Sequence, residues 1–254
     1  MLSGYEIAIA GLAAIAAGMI NALAGGGTLV SFPALIALGV TDIAANITNT
    51  VALCPGYLGG AIAQREDLRG QQRRMWLLVP AGIIGGFTGS ILLLLASEQV
   101  FHVIVPFLIL LAALLLAVQD RVRDWILKHS LQKKSRVDGS RAVLPVGLAA
   151  IYGGYFGAGM SVIVLAVLGL FLDDTLTRLN ALKQCLSLSI NVAAAVFFLF
   201  SGLVIWQLVL VMAAGALAGG ATGGRIAGRI NPDLLRWTVV IIGSIVGIVL
   251  LVRL

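Results

Sequence analysis

Two interruptions in otherwise apolar sequence carry the residues best suited to binding a ligand. The first is Gly25-Gly26-Gly27-Thr28, which leads into the apolar stretch 28–39. The second is Gly157-Ala158-Gly159-Met160-Ser161, which leads into 160–172. A helix that starts at such a break offers unpaired backbone N–H groups and the positive end of its dipole. Two such starts facing one another make an anion site. Thr28 and Ser161 add hydroxyls at capping positions. One glycine run alone reads as well as a tight turn or a close helix contact; two at corresponding places read as a site.

The polar residues inside apolar sequence point to the same chemistry. All eleven acidic residues fall in loops or at the ends of apolar segments, so a cation site is disfavoured. Lys183 enters an apolar segment about a turn beyond Arg178. A charge there is costly and marks a functional position, with the ligand anion as its partner; snorkelling to a nearby surface is the alternative. It lies in the run Asn180-Ala181-Leu182-Lys183-Gln184, whose counterpart earlier in the chain is Asn46-Ile47-Thr48-Asn49-Thr50. Their amides and hydroxyls supply donors for oxyanion oxygens. Asn21 and Asn191 are further amides in apolar surroundings, and each reads equally as a helix-to-helix bond.

Other candidate chemistry is sparse. His102 and His129 stand apart, no metal-ligand cluster, catalytic triad or phosphate loop emerges, and no enzyme activity or cofactor is expected. Cys54 and Cys185 lie in apolar segments and read as small buried hydrophobes. Glycines spaced by four (Gly82 and Gly86, Gly85 and Gly89, Gly215, Gly219 and Gly223) read as faces for close helix packing.

The elements that must position these residues are membrane helices. The 254-residue chain is 60% hydrophobic and only 11% charged, against about 25% charged in soluble domains, and its mean hydropathy is +1.06. Such a chain cannot cover a water-facing surface, so its net charge of +6 reads as topology rather than nucleic-acid binding. Six stretches reach the roughly 20 residues a spanning helix needs: 43–63, 75–96, 100–119, 179–200, 203–224 and 234–252. The regions 5–39 and 142–172 are apolar but interrupted, and their second pieces are too short to span. The first lacks the basic start of a signal peptide and is kept as mature structure.

An internal repeat organises the chain. A shift of 134 carries Gly85-Gly86-Phe87-Thr88-Gly89 onto Gly219-Gly220-Ala221-Thr222-Gly223 and Asn46 onto Asn180. With slight slippage Gly25-Gly26-Gly27 falls on Gly157-Ala158-Gly159. The halves are 1–119 and 142–254, joined by a basic linker, 120–141.

Charge sets the orientation. No Lys or Arg precedes Arg65; segment 64–74 carries Arg65, Arg69, Arg73 and Arg74, and the linker carries seven basic residues. In the second half the pattern reverses, with the basic residues Arg225, Arg229 and Arg236 at the opposite end. By the positive-inside rule the repeats are inverted, with both termini outside and the linker cytoplasmic. Inversion needs an odd number of crossings per half. Three spans plus a re-entrant hairpin satisfy it; five crossings with short helices rank second.

Inverted repeats with broken helices are a transporter architecture. The fold expected is therefore all-α and polytopic, each half a glycine-rich broken, re-entrant hairpin plus three transmembrane helices. The expected partners are a small anion and the bilayer of the bacterial inner membrane; a homodimer is compatible with this, nucleic acid is not.

The chain also resembles the sulfite exporter TauE/SafE family of membrane proteins. The resemblance rests on Ala24-Gly25-Gly26-Gly27-Thr28-Leu29-Val30-Ser31-Phe32-Pro33 and Tyr152-Gly153-Gly154-Tyr155-Phe156-Gly157-Ala158-Gly159, and covers nearly all of the chain except the linker. It implies movement of sulfite, of sulfonates such as sulfoacetate, or of thiosulfate. "Anion" follows from the residues; "sulfur" is implied by the resemblance alone. Ala158 and Met160 stand where members often have glycine, which narrows the second break. The site expected is Asn21, Gly25, Gly26, Gly27, Thr28, Asn46, Asn49, Gly157, Ala158, Gly159, Ser161, Asn180, Lys183 and Gln184. An anion channel and a non-transporting membrane anchor are the competing readings.

Overall fold

A computed structural model describes residues 3–23, 26–130, 139–226 and 232–254. Gly25 of the expected site, Arg229 and residues 131–138 of the basic linker lie outside the described residues. The described residues form eleven α-helices and no strand. They are α1 (Gly4–Leu23), α2 (Thr28–Ala37), α3 (Asp42–Ala63), α4 (Gln72–Leu95), α5 (Glu98–Ala117), α6 (Gln119–Ser130), α7 (Val143–Tyr155), α8 (Met160–Phe171), α9 (Leu176–Phe198), α10 (Trp206–Ile226) and α11 (Pro232–Val252).

Local chemistry sets several boundaries. Ser97 caps α5 by accepting the Val100 amide at 3.3 Å, and Thr175 caps α9 by accepting the Arg178 amide at 3.4 Å. Glu98 sits in the first turn of α5, where the dipole favours it, and its Oε1 also accepts the Ile43 amide at the start of α3. Single 3-10 turns at Arg65–Leu68 and Gly139–Ala142 join α3 to α4 and lead into α7.

Six helices are long and apolar enough to cross a membrane: α1, α4, α5, α9, α10 and α11. Five coincide with stretches expected from sequence. The sixth expected stretch, 43–63, is helix α3; its 22 residues reach about 33 Å, but Asn46, Thr48, Asn49 and Thr50 leave it more polar than the others. In its place α1 qualifies, with 20 residues before the first break, whereas α7 has only 13 before the second. The pieces 28–39 and 160–172 are indeed short helices, α2 and α8. The basic linker begins with helix α6, and Ile126 fills a notch at Gly169 of α8.

The exterior is unlike that of a soluble protein, while the core is largely apolar with a few buried polar side chains. Large apolar residues such as Trp76, Leu95, Leu210 and Phe200 face outward. Ser31, Asn46, Thr48, Asn49, Ser90, Ser187 and Asn191 are buried. That distribution suits a lipid surround, in which polar groups are confined to the protein interior.

Close packing follows the glycine ladders. Gly215, Gly219 and Gly223 of α10 meet Gly11, Ile15 and Met19 of α1, so these two helices run parallel. A Cβ on Gly219 would lie 2.0 Å from the Ile15 carbonyl oxygen. Gly85 and Gly89 of α4 meet Gly147 and Ile151 of α7, again in parallel, with a Cβ on Gly89 2.0 Å from the Ile151 oxygen. By contrast α3 and α9 are antiparallel, with Cys54 facing Asn191 and Gly60 facing Gln184. So are α5 and α11, where Leu110 meets Gly247 and Ala113 meets Gly243.

Candidate functional site

The second break is a tightly folded turn. Phe156 and Gly157 both donate to the Tyr152 carbonyl, at 3.0 and 3.3 Å. Gly157 and Gly159 take φ of +80° and +74°, a left-handed conformation that glycine adopts without strain. The Tyr152 hydroxyl donates to the Ala158 carbonyl at 2.6 Å. At the start of α8, Met160 and Val162 donate back to Gly157 and Gly159. Ala158 and Met160 are buried, Met160 against Gly153. Ser161 is half-buried.

Asn46 of α3 holds this turn from outside, its Nδ2 donating to the Tyr155 carbonyl at 2.8 Å. That satisfies one of the orphan carbonyls at the end of α7. The Asn46 and Asn49 side-chain oxygens are buried without a partner, a condition that costs free energy unless a ligand or water relieves it.

The first break is equally compact where it is described. Leu29 donates to Gly26, and Val30 and Ser31 to Gly27; the Ser31 hydroxyl also donates to Gly27. Thr28 is buried. Gly27 lies against the Ala17 carbonyl of α1, Gly26 against Leu116 of α5, and Gly159 against Ala112 and Leu115 of α5. The two breaks therefore meet on the last turns of one helix. Phe32 of α2 and Phe156 of the second break touch edge to face, with ring centroids 5.3 Å apart. In this conformation Gly26, Gly27, Ala158 and Gly159 are all buried at the convergence.

Open space lies elsewhere. A cavity of about 440 Å³ runs between α1, α3, α9 and α10. Its amides are Asn21, Gln64 and Gln184, and its wall includes Gly18, Gly56, Gly59, Gly60 and Gly220. Asn180 stands behind it, donating to Gln64 at 2.9 Å. Among the described residues no charged side chain lines it, and its wall reaches Ala63 and Gln64, just before the turn at Arg65.

The expected site residues thus separate into three places. Gly26, Gly27, Thr28, Asn46, Gly157, Ala158 and Gly159 gather at the closed convergence, with Asn49 one turn along α3 from Asn46 and Ser161 in the first turn of α8. Asn21 and Gln184 line the cavity, with Asn180 in support. Lys183 does neither: it is half-buried on a different face of α9, and the charge that reaches it is Arg123 of α6. Gly56, Tyr57, Gly59, Gly60 and Gln64 were missed. Their signal is the spacing Gly56, Gly60, Gln64, one face of α3 at a four-residue period, but such ladders read as packing. Here Gly56 and Gly59 have no neighbour within 4 Å of a would-be Cβ.

A polar latch closes the end of the molecule that carries Arg65. Asp174, between α8 and α9, pairs with Arg74 of α4 and with Arg178, the latter at 2.9 Å. Burial raises the Asp174 pKa, but the bonds from Arg178, Arg74 and the Thr175 amide outweigh it and hold the carboxyl below its ordinary value. Gln71 bridges the Asp67 and Arg178 carbonyls at 2.9 and 3.0 Å. At the other end His102 Nδ1 lies 2.6 Å from the Asp42 carboxylate.

An apolar exterior and six spanning-length helices define a multi-pass α-helical membrane protein. A family model described as sulfite exporter TauE/SafE matches residues 10–250, and the chain belongs to that family of membrane transporters. It is 27% identical to a probable membrane transporter protein of Haemophilus influenzae, over 89% of this chain and 86% of the relative. It is 26% identical to the probable membrane transporter protein YfcA of Escherichia coli K12, over 99% of this chain and 91% of the relative. Identity to the probable membrane transporter protein ORF9 of a Sinorhizobium species is also 26%, over 98% and 94%. No solved structure matches the chain.

Proposed function

We propose that the protein is a secondary transporter or exporter of small anions, sulfite or sulfonates among them, in the bacterial inner membrane. The observation that carries this reading is the cavity between α1, α3, α9 and α10. Among the described residues it offers three amides and no carboxylate, and it ends beside the arginine-bearing segment 64–74. Amide N–H groups suit oxyanion oxygens, and nearby arginines raise the local anion concentration. Cavities of 300–1,000 Å³ are typical of small-molecule sites. The cavity is the loading vestibule, and the convergence of the two breaks is the deeper site, closed in this conformation. There Gly25, Gly26 and Gly27, with Ala158 and Gly159 held by the turn at Gly157, contribute backbone donors, and Asn46 and Asn49 supply side-chain amides. Lys183, on the α6 side of α9, stands apart from both places and has no part in this reading.

The reading includes two inverted repeats, 1–119 and 142–254, with the linker 120–141 cytoplasmic. Packing supports it. The shift of 134 carries Gly85 and Gly89 to Gly219 and Gly223. The shift that carries Gly25 to Gly157 carries Ile15 and Met19 to Gly147 and Ile151. Gly219 on Ile15 and Gly223 on Met19 thus answer Gly85 on Gly147 and Gly89 on Ile151. Helix directions fit as well. If both termini lie outside and each hairpin is re-entrant, α1 and α10 both run inward and α4 and α7 both run outward, as their parallel packing requires. With this orientation the cavity faces the cytoplasm.

Anion binding by the purified protein tests the proposal. Titration of sulfite and sulfoacetate is expected to show saturable binding, weakened roughly ten- to hundredfold by Gln184→Leu if one amide bond to a charged oxygen is lost, at about 1.5–3 kcal/mol. Binding indifferent to Gln184→Leu and Asn21→Leu alike would remove the cavity from the site.

A further inference from the structure

The cavity has a filled counterpart. On the repeat shifts, cavity residues Gly56, Ala216, Gly220 and Asn21 answer to Ile190, Gly82, Gly86 and Gly153. In the structure those four are in contact. Ile190 of α9 is fully buried, its side chain 3.3 Å from would-be Cβ positions at Gly82 and Gly86 and 3.0 Å from that at Gly153. It occupies, in the second half, the space left empty in the first. The rim repeats the contrast. Ala63, Gln64 and Ala221, which line the cavity, answer to Phe197, Phe198 and Phe87. Phe87 and Phe197 stack edge to face at 5.3 Å, and Phe198 is fully buried.

We propose that Ile190, seated in the Gly82–Gly86–Gly153 notch and capped by the Phe87–Phe197 pair, is the plug that seals the transport path on the side opposite the cavity. This rests on the transporter reading and its repeat. The difference lies in the sequence as well as in the conformation. Where position 56 is glycine the path stands open, and where its counterpart is isoleucine it is stoppered. Passage of a substrate requires α9 to withdraw Ile190 from the glycine notch of α4 and α7, while α3 and α10 close over Gly56. Inverted repeats that rock against one another supply that motion.

The test uses full-length chain lacking Cys54 and Cys185, with one reporter thiol, in sealed vesicles of either orientation treated with a membrane-impermeant maleimide. Ser187→Cys reports the plugged side, because Ser187 answers to cavity residue Leu53; Gln184→Cys reports the cavity. Labelling rate follows the population of the open state, so Ile190→Ala is expected to raise Ser187→Cys labelling from the far side by roughly tenfold. Unchanged Gln184→Cys labelling from the cavity side would show that this variant remains folded. Gly56→Ile, whose Cβ meets no atom within 4 Å, is expected to lower Gln184→Cys labelling about tenfold. Far-side labelling untouched by Ile190→Ala in a chain that keeps its cavity labelling would overturn the plug. So would unhindered cavity labelling in Gly56→Ile. Both labelling shifts without any anion flux would leave the plug standing and remove the transporter reading.

Discussion

Gly219→Ala in α10 is expected to loosen the α1–α10 pair severely, and the amount follows from one distance. A Cβ there would sit 2.0 Å from the Ile15 carbonyl oxygen, where ordinary C···O contact needs roughly 3.4–3.6 Å, so the helices must part by about 1.5 Å. A gap of 0.5–1 Å already forfeits about a quarter to a half of each dispersion contact, and overpacking costs about 1–3 kcal/mol. The upper end applies because the obstacle is backbone on both sides. At about 2–4 °C per kcal/mol for chains of 150–250 residues, a loss of about 3 kcal/mol lowers Tm by roughly 6–12 °C. Thermal unfolding in detergent, followed by size-exclusion recovery, reads it. Gly89→Ala in α4, 2.0 Å from the Ile151 oxygen, should behave alike. Gly59→Ala, with nothing within 4 Å, should gain about 0.5–1 kcal/mol from helix propensity. Equal Tm for Gly219→Ala and the native chain would refute the packing argument and the parallel helix pairs drawn from it.

Other perturbations follow from single bonds. Asn46→Leu removes the donor to Tyr155 and leaves that carbonyl unpaired, costing about 1–3 kcal/mol and freeing the second break, seen as faster amide exchange at residues 156–160. Tyr152→Phe removes the hydroxyl that holds Ala158 and should have the same signature with a smaller loss of stability. Asp174, with its pKa held low by Arg74 and Arg178, contributes stability present above the ordinary carboxylate range and lost as pH falls through its lowered value. Asp174→Asn should therefore reduce Tm at pH 7, and the difference from the native chain should vanish well below pH 3.8.

Much of the fold was legible in the sequence because a bilayer leaves few solutions. Helix length and apolarity gave five spanning helices, and glycine breaks gave the short helices α2 and α8. The polar row of α3 hid nothing of its helix, but it showed that a segment within the protein need not be as apolar as one facing lipid. Helix α6 was not legible, because its packing depends on Ile126 finding the notch at Gly169 of α8. The site was read only in part. Glycine spacing cannot tell a face pressed on a neighbour from a face left open. Gly219 and Gly56 look alike in sequence, and only the partner helix, Ile15 of α1 or none, separates packing from cavity. Lys183 and Gln184 are adjacent in sequence and about 100° apart on the helix, so one reaches toward α6 and the other into the cavity.

The central claim, that this chain carries small anions, is tested most directly by counterflow in proteoliposomes containing the purified protein alone. Vesicles loaded with unlabelled sulfite or sulfoacetate should transiently accumulate the labelled anion above its external concentration, saturably, and Gln184→Leu should diminish the accumulation. Flux that never exceeds equilibration and does not saturate would identify a channel, and no flux of either anion would contradict the account.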